Sequence, residues 1–329
     1  MKKMSIKLKI FLGLILIISV TFGLLLYFIS KMAKPVDPNT KEVMKFVVPK
    51  GQAVSVIAGR LQEENLIQNS YIFRYVAKKD GLESKIQAGS FDLSKNMSTS
   101  EIALKLTSGT EDVWVTILEG WRAEEIAESL SSQNLDNFDA TEFLDLAKSS
   151  EGMLFPDTYL IPREMSAEQI YSLLINTFES KVNKALSEEI ESSSREFEQI
   201  LIMASLVERE AKTYDQMRRV AGILWNRIDK GMALQVDATL QYANGFDKQQ
   251  NKWWAVPNAS DKKIQSPFNT YLNSGLPPRP ISNPGLDAIK SALDPLESDD
   301  LYYIHANDGK MYYSATLDGH NANINAYLR

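Results

Sequence analysis

No cysteine occurs in the 329 residues, which removes disulfides, thiolate nucleophiles and every cysteine-based metal site together. Histidine is almost as scarce. His305 and His320 stand 15 positions apart, a spacing that supports no zinc site of the usual ligand type, so neither a metal nor another cofactor is expected. P-loop and G-x-S-x-G patterns are absent. Ser260-Asp261-Lys262-Lys263 matches S-x-x-K, but it lies in a polar loop and neither S-D-N nor K-T-G occurs, so a serine acyl-enzyme fails on context. Positive charge is also thin beyond the start of the chain. Residues 1–34 hold six lysines and no acid, so the net −6 of the whole becomes −12 for the rest, which excludes nucleic acid as a partner of that part. A 44% hydrophobic and 24% charged composition excludes a largely disordered chain, and the length suits two globular units.

From Ile10 to Ile29 runs a stretch of 20 residues without a charge. As a helix it spans about 30 Å, the hydrocarbon thickness of a bilayer. Lys2, Lys3, Lys7 and Lys9 precede it, whereas only Lys31 and Lys34 follow before Asp37. The positive-inside bias then keeps the N-terminus cytoplasmic and places everything after residue 34 outside. A cleaved signal peptide is the alternative, but its apolar region is shorter and the flank Tyr27 to Ala33 offers no small-x-small site. Residues 1–34 therefore read as cytoplasmic N-terminus and anchor, and 35–43, with Pro35, Asp37, Pro38 and Asn39, as a polar tether.

Residues 44–110 read as a small α+β module. Phe46-Val47-Val48 is a strand, Gly51 a turn, and Val54, Ile57, Ala58 and Leu61 recur at helical spacing. A second helix carries Tyr71, Ile72, Tyr75 and Val76. Gly89 to Leu93 makes another strand, and Ser98 with Glu101 caps a helix whose apolar positions are Ile102, Leu104 and Leu106. The stretch Val47 to Leu66 resembles a LysM carbohydrate-binding module; a plain α+β spacer is the alternative.

Residues 111–329 form the larger domain, mainly helical with mixed β and long loops. It opens on a strand, Val113 to Leu118, turns at Glu119-Gly120-Trp121 and continues as helices to about residue 230. Gly, Pro, Trp, Tyr and Asn then become dense, as in loops that build binding surfaces. Ser193 and Glu196 read as a capping box for a helix with Phe197, Ile200, Leu201, Ala204 and Ala211 on one stripe. Glu208 falls on that stripe, with Glu210 about 200° round the helix. A carboxyl among apolar side chains is disfavoured as an anion, so its pKa rises, as a general acid near neutral pH requires. The structural alternative is a buried pair with Arg219 or Arg227. Thr213 and Gln216 form a second capping box, opening a helix with Met217, Val220, Ala221, Leu224 and Ile228 on its apolar face.

Leu201-Ile202-Met203-Ala204-Ser205-Leu206-Val207-Glu208-Arg209-Glu210 resembles the catalytic signature of the MltG (YceG-like) family of endolytic murein transglycosylases. The resemblance continues through Val220 to Arg227, Gly231 to Thr239, Ser266 to Tyr271, Gly275 to Pro278 and Ile281 to Gly285. Upstream, Glu119 to Trp121 and Phe155 to Tyr159 match as well. Ala238 departs from the proline usual after the aspartate, and Arg279 from the glycine usual after the paired prolines. The resemblance implies a membrane-anchored, extracytoplasmic lyase acting on peptidoglycan glycan strands. Glu208 would protonate the oxygen between N-acetylmuramic acid and N-acetylglucosamine, then help the muramoyl C6 hydroxyl attack C1, leaving a 1,6-anhydro end. It further implies termination of nascent strands beside glycan-synthesising penicillin-binding proteins.

Candidate substrate-binding residues are Gln235, Asp237, Thr239, Tyr242, Ser266, Asn269, Tyr271 and Asp157, each of which could instead stabilise its own loop. Trp253, Trp254, Phe268 and Tyr271 could stack on sugar faces or pack in a core. Two further readings stay open: a hydrolase that adds Asp237 as second carboxylate, and a catalytically silent glycan-binding scaffold.

Overall fold

A computed structural model describes residues 6–49, 51–108 and 112–328, grouped in two compact units, Met1–Val113 and Trp114–Arg329. Architecture is mixed α+β, mostly helical, with three two-stranded sheets among the described residues. Lys2 and Lys3, and the expected boundary between residues 110 and 111, lie outside the described residues.

The first unit begins with α1 (Ile6–Met32). At 27 residues it is about 40 Å long, and Leu14–Met32 has a mean hydropathy of 2.2 with none of that window buried in protein. The remainder runs β1 (Met44–Val48), α2 (Val54–Glu63), α3 (Ser70–Lys79), β2 (Gly89–Leu93) and α4 (Thr99–Lys105). β1 and β2 pair antiparallel, Phe46 opposite Phe91. Alternation puts Phe46, Val48, Phe91 and Leu93 on one face, where Ile57, Ala58, Leu61, Phe73, Ile102 and Leu106 cover them. The Ser98–Glu101 capping box forms as expected. Two helix faces differ from the sequence reading. α3 buries Phe73, Val76 and Ala77 and leaves Tyr71 and Tyr75 exposed. α4 buries Ile102, Ala103 and Leu106 and leaves Leu104 out. In both, large apolar side chains stood as a signal of burial, whereas spacing of three and four residues places the smaller alanines inward.

The second unit begins within β3 (Val113–Thr116) and continues with α5 (Ala123–Ser131), α6 (Ala140–Ala147), β4 (Thr158–Ile161), α7 (Ala167–Phe178), α8 (Ser187–Ser192), α9 (Phe197–Glu210), α10 (Tyr214–Asp229), α11 (Asp237–Asn244), α12 (Leu286–Leu293), β5 (Tyr302–His305), β6 (Met311–Ser314) and α13 (Leu317–Tyr327). β3 pairs with β4, and β5 with β6 as an antiparallel hairpin. Helices and this hairpin thus follow residue 230, where the sequence reading expected mainly loops; long irregular chain is confined to the stretch between α11 and α12.

α9 is the central post, packed by α10, α11 and α12. Every residue from Ile200 to Val207 is buried, so the single apolar stripe read from the sequence is instead an apolar surface all round, as a helix enclosed by others requires. Its start also differs. Glu196 is the N-cap and makes no side-chain cap bond, while Ser193 Oγ accepts from the Arg195 N–H, so the expected Ser193–Glu196 box does not form. Thr213 does cap α10, accepting from Gln216 N–H at 3.4 Å. Gln216 Oε1 accepts from Lys212 N–H rather than returning to Thr213, which leaves that box half made. Within α10, Gly222 permits a close approach: a Cβ there would stand 2.2 Å from the Leu296 carbonyl oxygen.

Candidate active site

Glu208 lies in the last turn of α9, and Ala211 caps the helix with extended backbone instead of continuing the stripe. The helix C-terminus carries partial negative charge, which disfavours a carboxylate there. Burial is the larger influence. It lifts the Glu208 carboxyl to about 7, the charges of Glu119 and Asp287 push the same way, and the Gly285 N–H and the Arg209 guanidinium oppose it. The Gly285 N–H donates to Glu208 Oε2 at 2.9 Å. Gly285 is the N-cap of α12, so the carboxyl bridges the end of one helix and the start of another.

Three chain segments converge to hold it. The turn after β3 brings Gly120 onto α9 with φ +76°, and a Cβ there would meet Arg209 Nη1 at 3.1 Å and Glu208 Cγ at 3.4 Å. Both the left-handed backbone and the close approach call for glycine. Arg209 Nη1 donates to the Gly120 carbonyl at 3.3 Å. Further along, Ile281 N–H donates to Ser205 Oγ and Ser282 Oγ to the Ser205 carbonyl, which lays the 281–285 segment along α9 one turn before Glu208. Asn283 is the junction. Its Nδ2 donates to the Trp121 carbonyl and to Glu151 Oε1, its Oδ1 accepts from the Gly152 and Leu154 N–H groups, and it is wholly buried. Burial also raises the Glu151 carboxyl to about 8.

Neither arginine offered as a structural partner is near the task. Arg219 pairs with Asp300 at 2.7 Å, and Arg227 donates to the carbonyls of Leu301, Ala233 and Leu234. Among the described residues no ion pair includes Glu208. Its carboxyl instead opens on a cleft of about 620 Å³. The end of α9 from Glu208 to Lys212 makes one wall, Asp237 and Gln241 of α11 another, and His305, Gly309 and Met311 of the C-terminal hairpin the third. Glu210 borders this same cleft, contrary to the expectation that it points elsewhere, because the cleft wraps the helix end. Its carboxylate accepts from Tyr303 OH at 2.9 Å and stands 3.8 Å from His305 Nε2.

Residues 46–326 match the sequence profile of the YceG-like family. The chain belongs to that family. It is 30% identical over 327 residues to the endolytic murein transglycosylase of Bacillus subtilis (strain 168), across 91% of this chain and 89% of that one. Identity is 29% to the protein of the same name from Streptococcus pneumoniae serotype 2 (strain D39), across 88% of this chain and 59% of the relative. A yceG-like protein from Listeria monocytogenes, solved as a crystal structure, is similar with a TM-score of 0.57 and 29% identity over 86% of this chain and 99% of that one.

Of the YceG-like segments that the sequence reading singled out, Glu119 to Trp121, Gly231 to Thr239 and Ile281 to Gly285 reach Glu208 or its cleft, and the candidate binding residues divide. Asp237, the first residue of α11, lines the cleft, and its Oδ1 accepts from Tyr271 OH at 2.6 Å. Tyr271 thereby stands beside it. Thr239 and Asn269 are wholly buried. Thr239 Oγ1 donates to the Val236 carbonyl, and Asn269 Nδ2 to those of Lys262 and Ile264, so both side chains brace neighbouring backbone. Tyr242 is buried under the Arg122 guanidinium, 4.2 Å from its ring centroid. Gln235 is exposed with φ +54° and its N–H bonds the Thr270 carbonyl. Ser266 Oγ accepts from Phe268 N–H. Asp157 lies apart in an ion pair with Lys181 at 2.6 Å. Trp254 is braced from both sides, stacked on Arg209 at 3.8 Å and donating to Glu125 Oε2.

Sequence reasoning missed the hairpin wall, Arg209, Lys212, Gln216 and Gln241. Gln216 and Lys212 could have been found from their places near the end of the signature helix. The hairpin residues had no local signal that ties them to position 208.

Proposed function

We propose that the chain is an endolytic murein transglycosylase, a lyase that cleaves the bond between N-acetylmuramic acid and N-acetylglucosamine and leaves 1,6-anhydro ends. The observation that carries this reading is a carboxyl held near a pKa of 7 at the wall of an open cleft. At neutral pH such a group is poised both to give a proton and to take one back. As an acid, Glu208 protonates the bridging oxygen. As a carboxylate, it receives the proton of the C6 hydroxyl as that oxygen closes on C1. A tethered nucleophile reacts with effective molarity on the order of 10⁵ M or more when well oriented, so no water needs to be activated. The names of the Bacillus and Streptococcus relatives support the same activity.

Asp237 in the same cleft favours a second reading, a two-carboxylate hydrolase. Digestion of glycan strands in ¹⁸O-water separates the two: unlabelled anhydro-muramic ends are expected, and ¹⁸O at reducing muramic ends would establish hydrolysis.

The apolar α1 supports a single-pass anchor. In this reading residues 35–43 are the tether, 44–110 a LysM-like, glycan-contacting module and 111–329 the catalytic domain outside the cytoplasm. From there the enzyme would terminate nascent strands beside penicillin-binding glycan synthases. Protease added to intact spheroplasts should digest the large domain and leave the anchor in the membrane; full protection would overturn this topology.

A further inference from the structure

Glu119 stands in the turn that presses Gly120 against Glu208 and Arg209. Its side chain is exposed, and it has no hydrogen-bond or ion-pair partner among the described residues. Geometry fixes where the carboxylate rests. A Cβ placed on Gly285 would lie 1.9 Å from Glu119 Oε1 and 2.4 Å from its Cδ, so the group sits directly on the Gly285 Cα. The nitrogen of Gly285, about 2.5 Å from that Cβ position, donates to Glu208 Oε2 at 2.9 Å. Those three steps, end to end, hold the two carboxyl oxygens within about 7.3 Å of each other. Paired carboxyls in glycosidases act at separations of about 5 to 9.5 Å.

Asp237, the other acid considered, has one oxygen committed to Tyr271. Glu119 is uncommitted. Its charge also raises the Glu208 pKa, after burial and against the Gly285 N–H. The charged groups that act on Glu208 are Glu119 from the turn, Arg209 on its own helix and Asp287 on α12, and the titratable groups lining the cleft beside it are Glu210, Lys212, Asp237 and His305.

We propose that Glu119 is the second catalytic carboxylate of this site, stabilising positive charge at the muramoyl C1 while Glu208 moves the proton. The inference rests on the transglycosylase reading above. Glu208 gives its proton to the bridging oxygen, the C1–O bond breaks, and its electron pair stays on the leaving hydroxyl. Cationic charge spread over C1 and the ring oxygen faces the Glu119 carboxylate. The C6 oxygen then bonds C1, and its proton returns to Glu208. Glu119 forms no bond, and both carboxyls end as they began.

The test is Glu119→Gln in the full chain, assayed on glycan strands after mass spectrometry has established the ends the parent makes. Loss of one preorganised charge contact should lower kcat by about 10²-fold or more with KM within about threefold. Removing a negative neighbour lowers the Glu208 pKa, so the acid form is lost at lower pH and the alkaline limb of the pH–rate profile moves down. A merely structural role would leave that limb in place. A kcat within about threefold of the parent, or an unmoved limb, overturns the proposal. Glu119→Ala, read by the same criteria, covers an unfolded glutamine variant. A parent that makes no anhydro ends defeats the transglycosylase reading, and the role of Glu119 falls with it.

Discussion

Glu208→Gln is expected to lower glycan cleavage by about 10² to 10⁴-fold, the usual contribution of general acid–base catalysis, while the protein stays folded. The amide keeps the shape of the side chain and can still accept the Gly285 N–H, but it has no proton to deliver. Stability gives the decisive contrast. Burial opposes the Glu208 carboxylate in the fold, so the folded pKa lies above the unfolded one. Stability is therefore lost as pH rises from the unfolded value towards about 7. A neutral amide escapes that loss, and above pH 7 the melting temperature should equal or exceed the parent's. Removing one partner of a buried ion pair would instead destabilise by about 3 kcal/mol or more. Glu210→Gln is the control. Its amide can still accept from Tyr303 OH, and activity should stay within about tenfold although Glu210 borders the same cleft. An active Glu208→Gln protein, or one inactive because unfolded, contradicts the assignment.

Asn283→Ala should lose at least about 3 kcal/mol of unfolding free energy, read by urea denaturation. The substitution strips acceptors from the buried Gly152 and Leu154 N–H groups and a donor from the Glu151 carboxyl. Each stranded group costs about 1–3 kcal/mol. Any remaining folded protein should be slow as well, because Asn283 lies two residues before the N–H that holds Glu208. A loss under about 1 kcal/mol would show that the junction is not what locks the three segments together.

How much of this was legible in the sequence depends on the range of the interaction. Ser98 with Glu101, the alternation in Phe46-Val47-Val48 and the spacing of Ile57, Ala58 and Leu61 are decided within one or two turns, and each element formed as read. Tyr71 and Leu104 misled because a large apolar residue on a small module is not obliged to be inside. The Ser193 box failed because that residue lies before a helix that starts at Phe197, too far out for its hydroxyl to reach an end N–H. Around the site the decisive contacts are distant in the chain: Gly285 lies 77 positions from Glu208, and Gly120 lies 89 from Arg209. Periodicity carries no record of such docking, so Glu208 could be placed on a buried helix but its neighbours could not be named. Thr239 and Asn269 show the converse. Polar residues in a Gly- and Pro-rich region look available, yet buried backbone groups need partners: Asn269 satisfies loop carbonyls, and Thr239, on α11, bonds the Val236 carbonyl and Thr270 Oγ1.

That Glu208 holds the working proton near neutral pH is tested by titrating its carboxyl in the full, detergent-solubilised chain. Glutamate labelled with ¹³C at the side-chain carboxyl gives the signal, and the spectrum of Glu208→Gln identifies it by difference. A midpoint of about 7 is expected. A midpoint in the ordinary carboxylate range near 4.5 would mean that Glu208 is ionised at working pH, and would contradict that role.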